Sequence, residues 1–310
     1  MKHLLTLKNW STDEIKEVIN FAAEIKQNQK EYYDILKNKT LIMFFEKTST
    51  RTRLSFETGM TQLGGHGIFL DKRTTQFSMT DFKDEIQAVM RLGDCLMYRA
   101  KEYKNVELAS SFNKIPVIDA CSEKYHPCQA LGDILTMAEH SGGLENIKKV
   151  VWLGIENNVS NTLKLACAKL GIDIYIVTPE VDKDSVDKEL NKMADEIGHT
   201  HYTLDLDEAL KNADYVHTDT WINMEFFDEG KVKPDFKEEY ERRLKIFKPY
   251  QINAELINKY CPKAKIMHCM PCHIGYEITR DAIDHPNSII FDQAENRLHA
   301  QKAALVKLMK

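Results

Sequence analysis

The sequence lacks the marks of several large function classes. Lys and Arg number 42 against 47 Asp and Glu, for a formal net charge of −5, and the basic residues are spread along the chain. There is no basic block or stripe of the kind a nucleic-acid binder carries. No apolar run approaches the ~20 residues needed to cross a bilayer. The opening MKHLLTLKNWSTDE turns polar too soon for a signal peptide, so a cytoplasmic protein is expected. The seven cysteines (Cys95, Cys121, Cys128, Cys167, Cys261, Cys269 and Cys272) are odd in number and mostly in apolar surroundings. Reduced thiols fit that pattern better than a disulfide framework. Internal repeats and low-complexity segments are absent too.

One motif could contradict this picture. Cys269-Met270-Pro271-Cys272-His273 has the C-x-x-C-H form of covalent haem attachment, and C-x-x-C alone can be redox-active or bind zinc. Haem attachment requires export, and a structural zinc needs two further ligands at finger spacing, for which no second pair exists. Neither metal nor haem is expected, and a thiol near a substrate pocket fits better.

Glycine is missing where a phosphate loop would want it. The stretch 45–57 reads FEKTSTRTRLSFE; within it Ser49–Arg53 alternates three hydroxyls with two arginines, and no glycine lets the backbone approach a ligand. Another geometry supplies the same chemistry. A helix N-terminus offers free N–H groups and a positive dipole end, hydroxyls add donors, and an arginine adds a bidentate fork. The bland counterpart is an N-cap followed by exposed helix arginines.

What surrounds that stretch is an alternation of strands and helices. The length of 310 residues suits about two domains, large enough to bury roughly three quarters of the unfolded surface. Ser11 and Glu14 form a capping box ahead of Ile15, Val18, Ile19, Ala22 and Ile25, which predicts a helix from about Thr12 to Gln27. Strands are predicted at 41–45, 67–70, 95–99 and 117–120, with helices at 52–63, 82–92, 106–112 and 128–140. After Ser141-Gly142-Gly143 a second series begins. Its strands are predicted at 150–153, 174–177, 215–218, 266–268 and 289–291, and its helices at 160–170, 185–197, 207–212, 254–260 and 296–309. Such alternation implies parallel sheets with helices on both faces, in two α/β domains divided near residue 140.

Ligands of open α/β sheets sit at the carboxyl ends of strands. In the first series those ends carry Ser49–Arg53, Arg99 and His126-Pro127-Cys128-Gln129. Singly, each has a bland explanation: a surface ion pair for an arginine, a structural role for a histidine. Together they make an electropositive pocket suited to a small phosphorylated ligand. The second series contributes Asn157-Asn158, Asp219 and Cys269, and Glu295-Asn296-Arg297 opens the last predicted helix, placing a further cation near the mouth.

The motifs STRTR, HPCQ, HCMP and FDQAENRLH, in this order and at these separations, resemble those of the aspartate/ornithine carbamoyltransferase family over nearly the whole chain. The H-C-x-P form and the ENR helix resemble its ornithine branch more than its aspartate branch. The resemblance implies two doubly wound parallel-sheet domains of similar size: a carbamoyl phosphate domain (1–140) and an amine or amino-acid domain (141–295), with the C-terminal helix (296–310) packing back on the first. It implies that Ser49, Thr50, Arg51 and Thr52 hold carbamoyl phosphate, with Gln76, Arg99, His126, Gln129, Cys269, Met270 and Arg297 completing that site. Asn158, Asp219, Asn223 and Met224 would bind the amine. Arg99, His126, Asp219, Cys269 and Arg297 would carry catalysis. No metal or organic cofactor is implied. The two domains would close over the reactants, and the assembly would be a homotrimer or a multiple of trimers, with a neighbour's loop reaching each site.

Three departures bear on the substrate. The ornithine branch usually carries Trp-x-Ser-Met-Gly, where this chain has Trp221-Ile222-Asn223-Met224-Glu225, followed by a long FFDEGKVKPDFKEEY. A carboxylate at 225 would suit a second amine better than a carboxylate, unless it points to solvent. The family's Gly-Asp before the paired amides is Gly154-Ile155 here. In the loop expected to reach a neighbour, Arg73–Glu85, Gln76 matches and Lys83 is only a candidate for the basic partner. The expected reaction is transfer of the carbamoyl group to the side-chain amine of L-ornithine. The alternatives are another amine such as putrescine, or a non-catalytic homologue.

Overall fold

A computed structural model describes residues 1–222, 226–228 and 231–310. Asn223, Met224 and Glu225, on which the question of the acceptor turns, lie outside the described residues. The elements of the first half are α1 (Thr12–Gln27), β1 (Thr40–Phe45), α2 (Thr50–Gln62), β2 (His66–Asp71), α3 (Phe82–Val89), β3 (Cys95–Arg99), α4 (Tyr103–Ser111), β4 (Val117–Asp119) and α5 (Pro127–Ser141). The second half holds β5 (Lys149–Leu153), α6 (Asn158–Leu170), β6 (Asp173–Val177), α7 (Lys188–Ile197), β7 (Thr200–Tyr202), α8 (Leu206–Leu210) and β8 (Tyr215–Thr218). It continues with β9 (Phe227–Asp228), β10 (Lys231–Val232), α9 (Lys237–Phe247), α10 (Ala254–Tyr260), β11 (Lys265–His268), α11 (Arg280–Ile283) and α12 (Ile290–Met309).

Two parallel sheets result, in the orders β2-β1-β3-β4 and β11-β8-β5-β6-β7. Their central strands β1, β3, β5 and β8 are buried along most of their length and mostly apolar, as strands covered on both faces are. The capping box at Ser11 and Glu14 forms in both directions, and all five periodic residues of α1 are buried. One apolar core runs across both halves, because α5 and α6 pack together and α1 and α12 lie against α5. A second core lies under β8 and β11, and a third gathers Ile155, Trp221, Ile222, Phe226 and Phe247.

The structure corrects four expectations. Residues 289–291 are not a strand: Ser288 alone bridges to Ile266, and α12 begins at Ile290. That helix therefore starts six residues earlier than expected, and Arg297 sits well inside it. The strand β7 was not expected, because Thr-His-Tyr is short and has no apolar face. The helix α9 was also not expected; its sequence KEEYERRLKIF is mostly charged and buries little beyond Phe247. Finally, residues 90–92 and 211–212, expected as helix, lie beyond the ends of α3 and α8.

Candidate active site

Six strand ends converge. Ser49 caps α2, its Oγ accepting from the Thr52 N–H at 3.4 Å. The first-turn N–H groups at Thr50 and Arg51 have no acceptor within the helix, so they face the space beyond β1 as donors. The hydroxyls of 49–53 thus divide between capping and ligand-facing roles. The Thr50 side chain is exposed on the outer side of α2, which leaves its backbone N–H as the group aimed inward.

Thr52 is fully buried and joins two cations. Its Oγ1 accepts from Arg297 Nη2 at 2.9 Å and from Arg99 Nη1 at 3.4 Å. With both lone pairs occupied, its own proton is left to donate, and it meets no protein acceptor among the described residues. Arg99 also donates to the Ala120 carbonyl at 3.2 Å. Arg297 reaches this point because α12 crosses the first sheet's helices, and Gly132 on α5 leaves room for it. A Cβ there would stand 3.2 Å from Arg297 Cγ.

Three polar atoms of this wall are buried without partners: Arg99 Nε, Arg297 Nε and His126 Nδ1. None of Arg51, Arg99 and Arg297 forms an ion pair with a carboxylate among the described residues. Burial lowers the pKa of Arg51 and Arg297 from the usual guanidinium value, though both stay cationic. Burial, and then the charges of Arg297, Arg99 and Lys47, push His126 well below the ordinary imidazole value. His126 is therefore neutral, with a single N–H. Gln129 lies one turn into α5 and donates to Asp133 at 2.8 Å, part of a buried network with Gln293 and His217.

The opposing wall is self-satisfied. Asp219 follows β8; its Oδ2 accepts from Asn157 Nδ2 at 2.7 Å, and its Oδ1 from the Thr220 N–H at 2.7 Å and Cys269 Sγ at 2.9 Å. Burial, then the Asp219 charge and hydrogen bond, push the Cys269 thiol well up, so it stays protonated and donates. Asn158 makes its hydrogen bonds elsewhere than Asp219, donating to the Ser122 carbonyl at 2.8 Å and to Cys121 Sγ at 3.4 Å. The residue that holds Asp219 is thus Asn157, whose Oδ1 also caps α6 through Val159 and Ser160. Its Asn-x-x-Ser capping spacing was the available signal. Cys121, two residues after β4, also lines the cavity, and the strand-end rule could have found it.

Between the walls lies a cavity of about 140 Å³, lined by Ser49, Arg51, Arg99, His126, Gln129, Asn158, Asp219, Cys269, Met270 and Arg297, among others. A larger groove of about 990 Å³ runs along the outside of α2 and β2. Its charges are largely paired with each other, as Arg53 is with Glu57 and Arg73 with Asp71, so the smaller cavity is the better anion site. Gln76 and Lys83 are exposed and line neither wall of their own chain's cavity. Among the described residues, Asp219, His268 and Cys269 bring candidate metal-ligand atoms within 4.8 Å of one another. However, His268 Nδ1 already accepts from the Met270 N–H at 2.8 Å, and its Nε2 lies 3.1 Å from Glu277. Neither nitrogen is free to ligate a metal without breaking a bond.

Comparison with known proteins yields two family matches. Residues 2–139 match the carbamoyl-P binding domain of aspartate/ornithine carbamoyltransferase, and residues 146–308 match its Asp/Orn binding domain. The ornithine carbamoyltransferase of Archaeoglobus fulgidus is 39% identical over 313 residues, covering 100% of this chain and 98% of the relative. That of Bacillus subtilis is 40% identical, covering 99% and 94%. The solved structure of the Pyrococcus furiosus ornithine carbamoyltransferase is 38% identical, with a TM-score of 0.89 over 99% of this chain and 97% of that one.

Proposed function

The chain belongs to the aspartate/ornithine carbamoyltransferase family, and from that premise we propose that it transfers the carbamoyl group of carbamoyl phosphate to the side-chain amine of L-ornithine, giving citrulline and phosphate. The observation that carries this reading is the set of three arginines without carboxylate partners among the described residues around Thr52, with unpaired buried nitrogens on two of them and on His126. Such a wall is incomplete without an anion. A single charge pair at ~4 Å is worth about 4 kcal/mol at an effective dielectric of ~20, so several such contacts outweigh the cost of ordering a small ligand.

The chemistry follows from the same atoms. Arg51 and the α2 N-terminus neutralise the phosphate that leaves. Arg99, Arg297, neutral His126 and the free Thr52 proton face the carbonyl oxygen and stabilise the oxyanion that forms on attack. Asp219 and Cys269 position the incoming amine. The amine must be neutral to attack, and the nearby guanidinium charges disfavour its ammonium form and lower its pKa. Residues 1–140 would bind carbamoyl phosphate and 141–295 the amine, including through Asn158, Asn223 and Met224.

We further infer a cytoplasmic homotrimer or multiple of trimers. On and around the edge strand β2, Leu54, Ile68, Met79 and Leu92 are exposed, apolar surface that association would cover. Gln76 would then act in a neighbour's site.

The test is to incubate the purified protein with carbamoyl phosphate and either L-ornithine or putrescine, and to assay the ureido product. Citrulline as the preferred product is expected. Faster turnover of putrescine would overturn the acceptor assignment, which Asn223 and Glu225 make a fair contest. Equally negligible transfer by wild type and Arg51→Ala would overturn catalysis altogether.

A further inference from the structure

Next to Asn157 lies a pair of charges that the reaction does not use. Lys164, on α6, is fully buried, and Glu156 is only 4% exposed. The Lys164 ammonium donates to Glu156 Oε1, to Asn191 Oδ1 on α7 at 2.7 Å and to Tyr202 Oη on β7 at 3.3 Å. Its three protons therefore have three acceptors. Glu156 is also stitched in through its backbone. Its N–H donates to Thr178 Oγ1 at 3.0 Å and reaches the Glu180 carbonyl at 3.4 Å, and its carbonyl accepts from the Asp182 N–H at 2.8 Å.

A buried ion pair is a poor source of net stability, because desolvating two charges offsets their attraction. What it does supply is a fixed distance and direction. The residue after Glu156 is Asn157, which holds Asp219 at 2.7 Å and caps α6. The next is Asn158, which reaches across to Ser122.

We propose that the buried Lys164–Glu156 pair is a positioning device for the acceptor side of the site, fixing the backbone from which Asn157 orients Asp219. The inference rests on the reading that the amine binds at Asp219. It assigns Lys164 and Glu156 no contact with substrate. Their loss should loosen amine binding and leave the carbamoyl phosphate wall, built on other elements, unchanged.

The experiment uses the double variant Glu156→Gln/Lys164→Met, which removes both charges and strands neither, and the single variant Glu156→Gln, which keeps an acceptor for the ammonium. Steady-state KM for L-ornithine is measured together with calorimetric binding of carbamoyl phosphate. The double variant is expected to raise the ornithine KM about tenfold, with carbamoyl phosphate affinity within about twofold of wild type; displacements well under an ångström have effects of this order. The single variant leaves the buried ammonium without a carboxylate and should raise the ornithine KM at least as far. A folded double variant with the wild-type ornithine KM, or one that loses both ligands equally, would overturn the positioning role. Should the double variant not fold, an unchanged ornithine KM in Glu156→Gln would overturn it instead. A wild type that does not use ornithine would sink the underlying reading, and the positioning role with it; a wild type that does, beside unchanged variants, sinks the positioning role alone.

Discussion

The two walls of the cavity are built on opposite principles. The wall from α2, β3, α5 and α12 holds three arginines with no carboxylate partners among the described residues, and Arg99, Arg297 and His126 each keep an unpaired buried nitrogen. The wall from β5, β8 and β11 holds Asp219, Asn157 and Cys269 already bonded to one another. The first is charged and unfinished, so an anion completes it. The second is finished, so it acts by holding a fixed geometry that an amine must match. Affinity for the electrophile is thereby a matter of charge, and choice of nucleophile a matter of placement.

Substitutions can break that contrast, and the charged wall should be hit hardest. Arg51→Ala is expected to lower kcat/KM by roughly a thousandfold and to abolish carbamoyl phosphate binding by calorimetry; retained binding would mean the anion sits elsewhere. Thr52→Val keeps the volume but removes the hydroxyl shared by Arg99 and Arg297, and should lower kcat about a hundredfold in steady-state assays. On the finished wall, Cys269→Ala should lower kcat only about tenfold, because Asn157 and Thr220 still hold Asp219. Its carbamoyl phosphate affinity should stay near wild type by calorimetry. Gly132→Ala sharpens the comparison from behind: its Cβ presses on Arg297, so the KM for carbamoyl phosphate should rise about threefold while that for ornithine stays.

The smallest effect concerns pH. An unfolded imidazole binds its proton near 6.5, while burial pushes His299 on α12 down to about 4. Between those values the unfolded state holds more protons, so stability falls as pH drops from 6.5 towards about 4 and is unaffected by this group above 6.5. His126, shifted in the same direction, adds to the effect. Melting curves across this range should show a falling Tm, and His299→Gln should flatten part of the slope.

The charged wall was more legible in the sequence than the finished one, for a physical reason. Ser49–Arg53 is a contiguous run whose chemistry is written in its residue types. Asp219, Asn157 and Cys269 work through mutual contacts between distant strands, and no single stretch announces that arrangement. The alternation of strands and helices was legible because buried parallel strands are mostly apolar. The same rule failed at Ile289-Ile290-Phe291, an apolar triplet that opens a helix. It failed again at β7 and α9, whose polar or charged sequences leave little apolar pattern to read. Arg297 was found by motif, but its place inside α12 came only from the crossing of that helix over α5.

That crossing has a consequence for how the molecule comes to be. The bond from Arg297 to Thr52 spans 245 residues of chain. Such a contact is expected to close late, since distant pairings carry a greater loop-closure cost and form slowly. The two halves can gain helices and sheets well before the oxyanion cluster exists. Recovery of catalysis on refolding should therefore lag behind recovery of secondary structure.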